Sequence, residues 1–218
     1  RGADHDEAAR ELVARVHDGE IGRPLAVHAH EAVGLPWRRP HAAGAAAGAW
    51  RLRNWISYAA LSGGHFVERH VEAIDRALWL LGDAAPLCVD VAAGAIGDCA
   101  AATSVRYRFA DGATIAASID RRERGRDRRI ETLVGADGTC DLVRGVVGSS
   151  VVAAPPGGPG RHQAAMAALV RGTLAGRVVH EGTTMCLSTL VAVMGRAAAE
   201  TGRRVAWAEV AGTAAPSA

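Results

Sequence analysis

The chain has 218 residues, and all 25 of its basic side chains are arginine, set against 23 Asp and Glu for a formal net charge of +2. Without lysine it can carry neither Schiff-base chemistry nor a P-loop, whose phosphate motif ends in lysine, and near-neutrality gives no reason to expect nucleic acid as a partner. A hydrophobic fraction of 49% suffices for a buried core, no apolar run approaches the roughly 18 residues of a membrane span, and four scattered cysteines lean to a reducing compartment, so a cytoplasmic protein is expected, with any export signal lying upstream of Arg1.

In chain order, Ala8, Leu12, Val13 and Val16 recur at helical spacing and Gly19 stops them, which predicts a helix over residues 4–18. Residues 25–33 alternate after Pro24 and read as a strand. Residues 34–49 read as loop, punctuated by Pro36, Pro40, Gly44 and Gly48. The longest helix covers residues 64–81 and ends at Gly82. Strands follow at 87–93, 101–109, 113–119, 129–135 and 139–143, with a further one at 146–153. Asp111-Gly112 marks a hairpin between two of them, and Asp137-Gly138 precedes another. The run from Pro155 to Gly160 is a linker or surface loop. Helices over 162–171 and 183–201 come next, the second capped by Gly202. Trp207 lies in a short final segment, and a frayed tail follows Gly212. Strands grouped together with helices outside the run give an α+β fold with a mostly antiparallel sheet. No strand leads into G-x-G-x-x-G, so the chain has no dinucleotide fingerprint.

The helix over 64–81 holds the chemistry. At about 100° per residue, Phe66, Val67, His70, Val71, Ile74, Leu78 and Leu81 share one face, the core face. His65, Glu68, Glu72, Asp75 and Trp79 share the opposite one. A solvated polar face is the commoner meaning of such a pattern, but an indole among carboxylates favours a lined pocket or an interface. His65, Glu68 and His70 do not match a zinc-hydrolase motif, and His70 points away from the other two, so no metal site is expected. His70, on the apolar face, reads as a satisfied core histidine. The cluster Arg121, Arg122, Arg124, Arg126, Arg128 and Arg129 is interrupted by Glu123 and Asp127 and reads as a solvated loop or subunit contact. Cys88, Cys99, Cys140 and Cys186 lack metal or redox spacing and read as buried apolar residues.

Three stretches and the chain's end carry a resemblance. They are Gly34-Leu35-Pro36-Trp37-Arg38, then Trp50-Arg51-Leu52-Arg53-Asn54-Trp55, and then the run from Ser62 to Asp75 with Trp79 and Gly82. The end contributes Ser188, Leu190, Met194-Gly195-Arg196, Thr201-Gly202 and Val205-Ala206-Trp207. From about Asp18 to Val210 the sequence resembles the Gfo/Idh/MocA oxidoreductases, relatives of glucose–fructose oxidoreductase and inositol dehydrogenase. The resemblance implies a two-domain enzyme. Its N-terminal Rossmann domain binds NAD or NADP and supplies a catalytic lysine. Its C-terminal domain is an open antiparallel sheet with helices on one face, like that of glyceraldehyde-3-phosphate dehydrogenase. That domain binds a sugar or polyol and makes homo-oligomer contacts through the open face. The chain is similar only to the second part. Residues 1–22 read as the last helix of the missing domain, 23–212 as the substrate domain and 213–218 as tail.

The resemblance implies Glu72, Glu68 and His65 as acid–base candidates, with Arg53, Asn54, Asp75 and Trp79 lining the sugar site. It places NAD or NADP outside this chain. One position departs from the family pattern, in which a carboxylate is followed by a histidine and then by Asp. Here those places hold Glu68, Glu72 and Asp75, so glutamate replaces the histidine. Glutamate does acid–base work at a carbinol oxygen only with a strongly raised pKa, which neighbouring carboxylates can supply. The replacement equally fits lost activity. Two other readings stay open on this fold: a cofactor-free sugar lyase, epimerase or hydrolase using Glu68 and Glu72, and a non-catalytic binding protein.

Overall fold

The computed structural model describes residues 6–41, 44, 46–94, 102–122, 127–152, 160–177 and 180–212. The elements begin with α1 (Glu7–His17), β1 (Pro24–Gly34), α2 (Ala47–Arg53), a 3-10 turn (Trp55–Ser57), α3 (Ala59–Ser62) and α4 (Gly64–Leu80). The strands β2 (Cys88–Gly94), β3 (Ala102–Arg108), β4 (Thr114–Arg122), β5 (Arg128–Gly135), β6 (Thr139–Asp141), β7 (Val146–Val147) and β8 (Ser150–Val151) follow. The chain ends with α5 (Arg161–Leu174), α6 (Gly182–Thr201), β9 (Val205–Ala206) and α7 (Trp207–Ala211).

The described strands make one sheet in the order β8-β7-β6-β5-β1-β4-β3-β2-β9. Only β1 and β4 run parallel; the other pairs are antiparallel, so the expected α+β sheet is the one that forms. The β3–β4 hairpin turns at Asp111-Gly112. Gly112 takes φ +87°, and the Asp111 carboxylate accepts from the Ala113 amide at 2.9 Å. Alternation then fixes the faces. Val27, Ile115, Ile119, Leu133, Val105 and Tyr107 point to the core. There Phe66, Ile74 and Leu78 of α4 and Val191, Met194 and Ala198 of α6 cover them. α1 adds Leu12, Val13 and Val16 to the same core. The opposite face carries the residues out of phase, among them His28, His30, Ser104, Arg106, Ala116 and Ser118. α6 comes closest to the sheet at Gly195, where an added Cβ would lie 2.0 Å from Tyr107 Oη. That hydroxyl donates to the Val191 carbonyl at 2.9 Å.

Some expectations are corrected. α2 starts inside the stretch read as loop, at Ala47. The segment 146–153 is two short strands rather than one, because Gly148 at φ +58° reverses the chain between them. Of the cysteines, Cys140 is buried and Cys88 half-buried, but Cys186 is exposed. It lies in the first turns of α6, where full burial begins only at Ser188. Cys99, Arg124, Arg126, the greater part of the Pro/Gly run and the tail after Gly212 lie outside the described residues. Among the described residues no helix is long and apolar enough to cross a membrane.

Candidate functional site

α4 starts on two glycines, Gly63 and Gly64, both at φ +79°. This conformation is cheap only for glycine. It swings the chain from α3 into α4, and Ser62 Oγ fixes the corner by accepting from the Gly64 amide at 3.0 Å and donating to the Tyr58 carbonyl at 3.1 Å. α4 then crosses β1, β4 and β5, which sets its polar flank beside the ends of those strands.

Along that flank Glu68 is half-buried, as are Asp75 and Trp79, and Glu72 is exposed. Glu72 lies 3.6 Å from Arg76 Nη1, one turn on. His65 is the exception on this flank. It is buried at 6% exposure, because α3 and the 3-10 turn pack over the first turns of α4. Its Nε2 meets no hydrogen-bond partner among the described residues. Burial, then the nearby Arg121 charge, pulls its pKa down to about 4, so it is neutral at pH 7. Burial raises the pKa of Glu68, Arg69 and Arg121 oppose this, and Glu72 adds to it. His70 is fully buried in the core and donates through Nε2 to the Ala29 carbonyl at 3.1 Å, but its Nδ1 meets no partner among the described residues, so the expected satisfied histidine is satisfied on one side only.

The residues ahead of α4 divide. Arg53 is exposed in the last turn of α2. Asn54 is fully buried. Its Oδ1 accepts from the Arg39 amide at 2.7 Å, and its Nδ2 donates to the carbonyls of Trp50 at 3.1 Å and Arg39 at 3.3 Å. Its amide is thus used in tying the loop after β1 to α2.

Three participants were missed from the sequence. Glu31 on β1 is half-buried, and its Oε2 is buried with no partner among the described residues. Burial raises its pKa while Arg69 and Arg129 oppose. Its in-phase neighbours Val27, Ala29 and Val33 all face the core, which was the available signal. Arg76 and Glu131 form a buried two-pronged ion pair at 2.6 and 2.7 Å, and Arg129 joins the same carboxylate. Burial pushes Glu131 up to about 6, against the pull of Arg129. Asp6, Ala9, Leu142 and Val143 complete a cleft of about 240 Å³ over this pair. Glu131 is in phase with Leu133, so a buried carboxylate needing a partner was legible there.

The half-buried acids Glu68 and Glu31, among Arg69, Arg121 and Arg129, can exchange protons with and accept hydrogen bonds from hydroxyl groups. A dinucleotide does not fit these residues. Gly63 and Gly64 do open a helix, but α3 rather than a strand precedes them, and pyrophosphate sites of that kind need the strand-to-helix turn.

The family model for the GFO/IDH/MocA C-terminal domain matches residues 8–141. No curated protein sequence matches the chain. Among solved structures, an oxidoreductase from Thermotoga maritima aligns with a TM-score of 0.70 at 14% identity, over 96% of this chain and 61% of its own. Myo-inositol 2-dehydrogenase from Lactobacillus plantarum aligns at 0.67 and 14%, over 94% and 63%. Scyllo-inositol dehydrogenase from Lactobacillus casei, solved with NAD(H) and scyllo-inositol, aligns at 0.65 and 18%, over 95% and 63%. The chain therefore spans less than two thirds of the length of these proteins, and at such identity the likeness is one of fold. With more than half of its residues matched by the domain model, the chain belongs to the GFO/IDH/MocA C-terminal domain family.

Proposed function

We propose that the chain is the substrate-binding part of a nicotinamide-dependent sugar or polyol oxidoreductase, with NAD or NADP held by residues outside it. The carrying observation is the acidic flank of α4 on this family's fold, where Glu68 and Glu72 stand one turn apart. Carboxylates accept hydrogen bonds from vicinal hydroxyls. Glu68, half-buried and with its pKa raised by burial, suits a proton donor and acceptor at a carbinol oxygen. Glu72, exposed beside Arg76, suits a hydroxyl clamp. Asp75, Trp79 and the buried His65 lie on the same flank, and the exposed Arg53 is assigned to the substrate with them. Two of the solved relatives in fold are inositol dehydrogenases, which agrees with a polyhydroxylated substrate. Residues 1–22 are read as the end of the cofactor domain, and α1 anchors that end here through Leu12, Val13 and Val16.

Titration with myo-inositol, scyllo-inositol and glucose, followed by saturation-transfer NMR, tests the reading. Binding is expected, weakened about tenfold by Glu68→Gln or Glu72→Gln, as for a lost hydrogen bond to a charged group. Calorimetry with NAD and NADP is expected to give no binding heat. Micromolar affinity of this chain for either cofactor, or polyol binding indifferent to both substitutions, would overturn it.

A further inference from the structure

Between Glu31 and Glu68 the sequence has no carboxylate but has Arg38, Arg39, Arg51 and Arg53. All four side chains are exposed, and none pairs with a described carboxylate. Some arginines elsewhere are compensated, as in Arg15–Glu20, Arg196–Glu200, Arg203–Glu209 and Arg204–Asp90. Three of the four between Glu31 and Glu68 lie over aromatic rings. Arg38 lies 5.0 Å from the Trp50 ring, Arg39 5.4 Å from Trp37 and Arg51 5.7 Å from Tyr58. Trp50 and Tyr58 meet edge-on at 6.2 Å, so Arg38, Trp50, Tyr58 and Arg51 form one chain of contacts. Asn54 locks the loop to α2 beneath it.

Stacking occupies the flat face of a guanidinium and leaves its rim of N–H donors free, the arrangement that suits phosphate and carboxylate. The Trp50 indole N–H is buried and finds no acceptor among the described residues. Trp37 and Trp55, at 47% and 41% exposure, offer apolar ring faces beside the stack. The platform belongs to the segment whose 3-10 turn and α3 pack against α4. A neutral polyol offers nothing to four guanidinium groups that meet no carboxylate among the described residues; an oxyanion neutralises them.

We propose that this arginine–aromatic platform binds the oxyanion of an anionic sugar, a sugar phosphate or a uronic acid, whose hydroxyls meet Glu68 and Glu72. The inference rests on the sugar-site reading above and narrows it. The test is calorimetry on the chain with glucose, glucose 6-phosphate, glucuronate and inorganic phosphate. At least one anionic sugar is expected to bind about tenfold or more tighter than glucose, the worth of one charge-assisted contact. High salt should erase that advantage, and so should the double variant Arg38→Gln/Arg51→Gln, with glucose binding unchanged. The preferred anion tells phosphate from carboxylate. Glucose bound as tightly as both anionic sugars, or an advantage that survives the double variant, overturns the platform and leaves the sugar site standing. Inorganic phosphate bound as tightly as glucose 6-phosphate, and lost in the double variant, keeps the platform and overturns the sugar site. No binding of any probe overturns both.

Discussion

Glu131 and His70 are two buried titratable groups, one in an ion pair and one in the apolar core. Glu131→Gln strands Arg76, which is 9% exposed, and should cost about 3–5 kcal/mol in urea unfolding at pH 7, as for a broken buried ion pair. Burial raises the Glu131 carboxyl, while the two-pronged bond from Arg76 and the bond from Arg129 favour its ionised form. His70 is pulled from 6.5 down to about 4, chiefly by burial. Its contribution is complete above pH 6.5 and is lost, by up to about 3 kcal/mol, as pH falls through about 4. From pH 7 to pH 4.5, therefore, the stability gap between the unaltered chain and His70→Gln should narrow. A gap that stays constant or widens would contradict the assignment.

Between elements, the contact of α6 with β3 is the tightest, and Gly195 sets it. Alanine in a helix interior normally gains about 1 kcal/mol over glycine. At position 195 the new methyl would lie 2.0 Å from Tyr107 Oη and 2.8 Å from the Phe66 ring, so Gly195→Ala is expected to destabilise by about 1–3 kcal/mol. In a Tyr107→Phe background the same change should cost less, since the nearer clash is gone; a double-mutant cycle by urea unfolding reads the difference. Equal cost in both backgrounds would move the clash elsewhere. The strands here were legible because their signals are local: alternation and Asp111-Gly112 put β4 at residues 113–119, against Thr114–Arg122 observed. α2, the 3-10 turn and α3 were not, since an alanine-rich stretch broken by glycine has no apolar period to read. On α4 the sequence separated the two faces, but not what covers them. His65 is buried by α3, and Arg76 by Glu131, 55 positions away. Periodicity within one helix contains neither neighbour.

Across the whole molecule, the sheet carries its helix layer on one face and leaves the other to small and polar side chains. Strand register sets Thr132, His28, Ala116 and Arg106 side by side there. At the β2 edge Asp90 bridges Arg108 at 2.9 Å and Arg204 at 2.6 Å, which holds its carboxyl down at about 2. Such a face tolerates water, yet a flat, self-complementary sheet surface is also what a two-fold dimer requires. Homodimerisation through it is what the family resemblance implies, and it can be tested apart from the sugar site. Ala116 sits mid-row, so Ala116→Arg would plant an unpaired charge in an interface of about 800 Å² per partner. Light scattering after size exclusion should then show a dimer for the unaltered chain and a monomer for the variant. α4 lies across the sheet from this row, on the core side, so glucose binding should be the same in both. A monomeric unaltered chain, or a variant that stays dimeric, removes the open face as the interface. A variant that loses both dimer and sugar would mean that the partner completes the site.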